Sequence, residues 1–190
     1  GVVTVDAVTG TVTPLKVGEA TVTVTAAAVK DPNSGLIMIE ETSVSYKVNV
    51  AKGTPTIDVK DVETEYTYNG SAIPEGTSDT PGYKKATVSA PHEGAAKPAL
   101  ELEYAFYDGD EYETEEDVLA AGDIDAMGTP VNPGDYWLKV TYPGDDNYNE
   151  TSDAVPITIE EASVGTIEAS YSETYDGDGH DLAKEAVKIG

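Results

Sequence analysis

The side chains in this chain that could do chemistry are carboxylates in short loops and one tryptophan. Asp108-Gly109-Asp110-Glu111-Tyr112-Glu113 and Asp176-Gly177-Asp178-Gly179-His180-Asp181 both set carboxylates two residues apart. That is the spacing at which an oxygen-ligand loop wraps a hard cation. Residues 101–117 hold nine acids and no base. Asp108, Asp110, Asp176 and Asp178 are therefore the candidate calcium ligands; no cofactor is expected beyond that calcium. Neither loop follows the EF-hand pattern. Its sixth position, a turning Gly, is Glu113 or Asp181 here, and its twelfth, a closing Glu, is Leu119 or Val187. A solvated acidic turn is the plainer reading of both loops, and of Asp145-Asp146.

Trp137 is the second candidate. It lies out of phase with Tyr136, Leu138 and Val140, so it faces away from their side of the strand. An indole on such a face can stack a sugar ring; packing on a neighbouring module or a long loop is its commoner fate. Catalysis finds less support. The two histidines, His92 and His180, sit in Gly/Pro/Asp-rich loops, and a general base needs a positioned partner that neither shows. No G-x-S-x-G, phosphate-loop or dinucleotide fingerprint is present. The expectation is a protein that is not an enzyme.

Composition narrows the partners. The 190 residues carry 36 acids against 11 bases, all lysine, for a net charge of −25. Such a field repels phosphate backbones and anionic membranes, so nucleic acid is not an expected partner. Without cysteine, neither a disulfide frame nor a Cys-ligated zinc site can form. No apolar run approaches the roughly 20 residues of a membrane span. Gly1 opens directly on strand-like sequence, as expected of a piece of a longer chain.

The elements that position these residues read as strands almost throughout. Tyrosine supplies 12 of the aromatic residues, beside one Phe and one Trp. With abundant Thr and Val, this suits pleated, half-buried strands. Pro133 to Ile159 is the clearest pair: Tyr136, Leu138, Val140 and Tyr142 alternate with polar positions, Pro143 to Asn147 break the run, and Val155, Ile157 and Ile159 resume it. Residues 1–50 read as four or five short antiparallel strands, turning at Thr9-Gly10 and over Lys30 to Leu36. Ala51 to Pro55 is a linker-like junction. Beyond it, strands are expected at Ile57 to Val62, Tyr66 to Tyr68, Ala86 to Ala90 and Leu100 to Phe106, with a hairpin turn at Asn69-Gly70. Thr114-Glu115-Glu116-Asp117 ahead of Val118-Leu119 is a capping-box start for one short helix near 115–121, stopped by Gly122.

Two resemblances follow. Val5-Asp6, Gly10-Thr11-Val12, Gly18 and Ala20 to Val24, closed by Tyr46-Lys47-Val48-Asn49-Val50, resemble the second half of a group 2 bacterial Ig-like domain, whose first strands would precede Gly1. Tyr68-Asn69-Gly70, Gly134-Asp135-Tyr136, Tyr142-Pro143-Gly144-Asp145 and Asn147-Tyr148 resemble the MBG-type Ig-like repeats of bacterial surface proteins. Gly165-Thr166 and Tyr175-Asp176-Gly177 repeat Gly53-Thr54 and Tyr68-Asn69-Gly70 about one module later.

The expected fold is thus all-β: tandem immunoglobulin-like β-sandwich modules, one complete (52–161) and two partial (1–51 and 162–190). The resemblance implies a structural, spacer or adhesion module of a large extracellular protein at the bacterial cell surface or wall. Its partners would be neighbouring modules of the same polypeptide, and cell-wall or host glycans or proteins. The alternative is a carbohydrate- or calcium-dependent binding module attached to a secreted carbohydrate-active enzyme.

Overall fold

The structure is a computed structural model and describes residues 1–163. The repeat expected beyond that point, with Asp176, Asp178 and His180, lies outside the described residues. The fold is all-β with one short α-helix.

Residues 1–50 form three separate two-stranded ribbons. β1 (Val3–Val5) pairs with β2 (Val12–Pro14), β3 (Gly18–Ala26) with β6 (Thr42–Val50), and β4 (Val29–Lys30) with β5 (Ile37–Ile39), all antiparallel. That is six strands where the sequence suggested four or five. The β3–β6 ladder is strictly two-faced. Ala20 opposes Val48, Val22 opposes Tyr46 and Val24 opposes Val44 on one face, while Thr21 opposes Lys47 and Thr23 opposes Ser45 on the other. Of the apolar face only Val22 is buried; Val24, Val44 and Tyr46 stay exposed, as do Ile37, Met38 and Ile39 of β5. A two-stranded ribbon has no second layer to bury such a face against, and is marginal on its own.

From Gly53 the chain builds a packed unit. Its main sheet runs β10 (Glu103–Asp108), β11 (Gly134–Tyr142), β12 (Thr151–Glu160), β8 (Glu65–Thr67). The first three are antiparallel; β8 joins β12 in parallel, with Glu65 opposite Thr158 and Thr67 opposite Glu160. A ribbon of β7 (Thr56–Asp58) and β9 (Thr87–Ser89) lies over one face. Between them sit Ile57, Tyr83, Phe106, Leu138, Val140, Ile157 and Ile159, with Tyr83 set edge-on to Phe106 at 5.0 Å. Period two decides this core, since every second residue of β11 and β12 points inward.

Part of the other face is covered by α1 (Glu115–Ala120). Its capping box forms as the sequence indicates. The Thr114 hydroxyl oxygen accepts from Asp117 N–H, and the Asp117 carboxylate accepts from Thr114 N–H and from its hydroxyl. Val118 is driven against Tyr107 and Ala154, all three buried. The last turn has no base of its own. Lys139 of β11 supplies one, donating to Leu119 O at 3.1 Å and Ala121 O at 3.0 Å, which satisfies two carbonyls that a helix end leaves orphaned.

Three local expectations change. Asn69-Gly70 turns the chain, with Gly70 at φ 80° and the Asn69 side chain accepting from Ser71 N–H, but no strand follows, so it is not a hairpin. The segment after it is irregular because Ile73 drops into the core and its N–H donates to Pro130 O. Val59 and Val62 belong to a tight turn closed by Val62 N–H on Val59 O rather than to β7, and Val62 still reaches the core. In the acidic turn between β11 and β12, Asp146 is exposed as a solvated turn would have it, but the Asp145 carboxylate is bonded inward on several sides.

Candidate functional site

The densest polar constellation among the described residues is this β11–β12 turn, Pro143 to Asn149. Gly144 takes φ 80°, and a Cβ there would meet Glu150 N at 2.8 Å, so the bend requires glycine. The bend turns the Asp145 carboxylate back into the turn. One oxygen accepts from Tyr142 OH at 2.6 Å and Ala99 N–H at 3.2 Å. The other accepts from the N–H groups of Asn147 at 2.7 Å and Tyr148 at 2.9 Å. The Tyr142 hydroxyl, and then these backbone N–H groups, hold the Asp145 pKa down at about 2. Burial, more than the carboxylate beside it, pushes the Tyr142 phenol up.

The outer side of the same turn receives the linker. Gly53 N–H donates to Asn147 O at 3.0 Å, and Asn149 N–H donates to Gly53 O at 2.8 Å, a parallel bridge that puts Gly53 beside Tyr148. Lys52 Nζ donates to Asp145 O, and Asn149 Nδ2 donates to Thr54 Oγ1 at 3.2 Å. From the other side of the linker, Val17 N–H donates to Asn147 Oδ1 at 3.2 Å. Gly53 fits closely, since a Cβ there would lie 3.1 Å from Pro91 Cγ, a tight contact that the ring must yield to, and 3.5 Å from the Tyr148 ring. Beside this seat runs an open groove of about 590 Å³, with Leu15 and Lys16 on one wall and His92, Ala95 and Tyr148 on the other.

The residues singled out from sequence do not converge here. Asp108 ends β10 exposed, and its carboxylate accepts from Asp110 N–H at 2.9 Å, an Asx turn that occupies one of its oxygens. The loop is further pinned by Gly109 N–H on Asp135 O at 3.0 Å. Asp110 points to solvent. Among the described residues no three His, Asp or Glu side chains gather as a metal-ligand set. Trp137 faces away from the main core as its phase indicates. It is half-buried there, packed on the cluster of Tyr107, Val118 and Ala154 beneath α1. His92 is exposed on the groove wall.

Sequence reasoning marked Lys52 and Gly53 as linker and Asp145 and Asn147 as turn residues, but missed that they meet, and missed Val17 beside them. Their signal was present in part: Pro-Gly-Asp-x-Asn is Asx-turn chemistry, in which the carboxylate serves the backbone two and three residues on. What the spacing could not reveal is that Gly53, far away in sequence, is the partner of that turn. Compared with known proteins, the chain matches no family model and no curated protein.

Proposed function

We propose that this chain is a non-catalytic structural piece of a larger bacterial surface or secreted protein, working as a spacer or adhesion segment built of successive Ig-like modules. The observation that carries this is the seat of the linker. Lys52, Gly53 and Val17 donate hydrogen bonds to one turn of the following unit, and Gly53 and Thr54 accept from its Asn149. Units joined through a small interface otherwise move freely against one another. A spacer benefits from a junction whose angle is held by the fold.

The covering of the main sheet supports the same reading. Ribbon and loops close one face and α1 covers part of the other; the hollow left beside α1, among Glu103, Ala105, Lys139, Thr141, Glu150 and Ser152, is polar rather than the mostly apolar concavity that small-molecule sites use. The neighbouring modules of the same polypeptide are its principal partners, at the cell surface or in the cell wall. A glycan array read with and without millimolar calcium tests this against the binding-module alternative. The spacer reading expects no saturable signal in either condition. Saturable binding that Trp137→Ala abolishes would sink it. Calcium at the Asp108–Asp110 loop is checked separately by the melting temperature, which is expected to stay unchanged on adding the ion.

A further inference from the structure

The chain enters and leaves the 53–160 unit along the same line. Gly53 pairs in parallel with Tyr148. Further on, β8 pairs in parallel with β12, where Thr158 N–H donates to Thr64 O at 2.8 Å and Tyr68 N–H donates to Glu160 O at 2.9 Å. The entering segment therefore runs beside the leaving segment in the same direction at two places. Most single-chain neighbours in this sheet are antiparallel, as β10–β11 and β11–β12 are; the one parallel pair of the sheet is the one that joins the unit's first part to its last strand.

From this geometry we infer that the unit is a load-bearing clamp. Tension along the polypeptide pulls β8 from its N-terminal end and β12 from its C-terminal end. For parallel neighbours these pulls are opposed and lie along the strands, so the hydrogen bonds between them are sheared together rather than peeled one by one. The side chains on β12 add to the resistance, since Ile157 and Ile159 are buried and must leave the core if the strand slides. The Gly53 bridge lies upstream of this pair and takes load first. The inference deepens the spacer reading and takes its biological sense from it, because a surface spacer is pulled on by whatever its far end holds.

Optical-trap unfolding of the full chain tests it. The chain has no cysteine, so handles can be attached cleanly through introduced pairs at exposed positions. Ala51→Cys with Glu161→Cys pulls along the natural path and shears the β8–β12 pair. Ser71→Cys with Glu161→Cys pulls both strands from the same end and peels it. The clamp requires the highest rupture force, which reads the β8–β12 pair rather than the Gly53 bridge ahead of it, to be roughly twofold or more higher in the shearing geometry, because bonds loaded together share the force. Tyr68→Pro removes the N–H that donates to Glu160 O; it lowers the shearing force, in which that bond shares the load, while the highest peeling force, set by the bonds behind it, changes little. Equal forces in the two geometries, in a chain whose circular dichroism is unaltered by the handles, overturn the clamp and leave the spacer reading standing. Saturable glycan binding overturns the spacer reading while the force ratio is unaffected.

Discussion

The carboxylate of Asp145 shows how one residue can be misjudged from composition. In a chain this acidic, two adjacent aspartates in a Pro-Gly turn read as solvated charge; in the fold, Asp145 organises its own turn and, through it, the linker. Its pKa of about 2 lies below the ordinary 3.8, so the charged form is the one the fold favours. The stabilisation is complete above the ordinary value and is lost as the pH falls through about 2. On the order of 1–2 kcal/mol is at stake after allowance for solvent screening. Asp6 and Asp31 are lowered as well, chiefly by the N–H groups of Thr9 and Ser34, and destabilise in the same direction. Melting temperatures followed from pH 5 to pH 2 are therefore compared between the natural chain and Asp145→Asn. The substitution is expected to flatten part of the acid-side decline, and an identical slope counts against the role given to Asp145. Gly82 is a sharper local case. A Cβ there would stand 2.2 Å from Gly76 N and 2.4 Å from Glu75 C, both backbone atoms. Gly82→Ala is expected to cost several kcal/mol, at the severe end of single substitutions (about 4 or more), read by urea unfolding.

At the scale of elements, what the sequence disclosed was what its period could carry. β11 and β12 were legible because alternation holds over their whole length and the turn between them breaks it sharply. The helix was legible because Thr114 and Asp117 form a capping box three residues apart. The strand at Ile57 was drawn too long, because Val59 and Val62 continue the apolar pattern through a turn that periodicity alone cannot see. The covered outer face of the sheet was hidden for a related reason: Trp137 has a definite phase, but only the fold brings α1 over it. Two substitutions probe these layers. Leu138 is fully buried between the sheet and the β7–β9 ribbon, so Leu138→Ala is expected to destabilise by about 2–5 kcal/mol. Thr114→Ala removes the hydroxyl that caps α1 and is expected to cost about 1 kcal/mol. Both are read from denaturant midpoints, and a larger loss for Thr114→Ala than for Leu138→Ala would invert the ranking of the two layers.

Over the whole molecule, the contrast is between a packed unit and the ribbons that precede it. The unit from Gly53 onward buries its apolar pattern on both faces of a sheet, whereas β3 and β6 pair correctly and leave Val24, Val44 and Tyr46 in water. Alternation in sequence specified the faces of that ribbon but carried no information about what lies over them. What joins the two regions is the turn at Asp145 and Asn147, and the central claim is that this joint holds a fixed angle. Double electron–electron resonance on the full chain, spin-labelled at Lys47→Cys in β6 and Glu160→Cys in β12, measures that angle directly. Both sites are exposed, and the chain offers no other thiol. A single narrow distance distribution is expected, broadening about twofold or more toward the free motion of loosely joined domains when Lys52→Met and Asn147→Ala are added. A distribution already broad in the natural chain, or one that the two junction substitutions leave unchanged, would contradict the account.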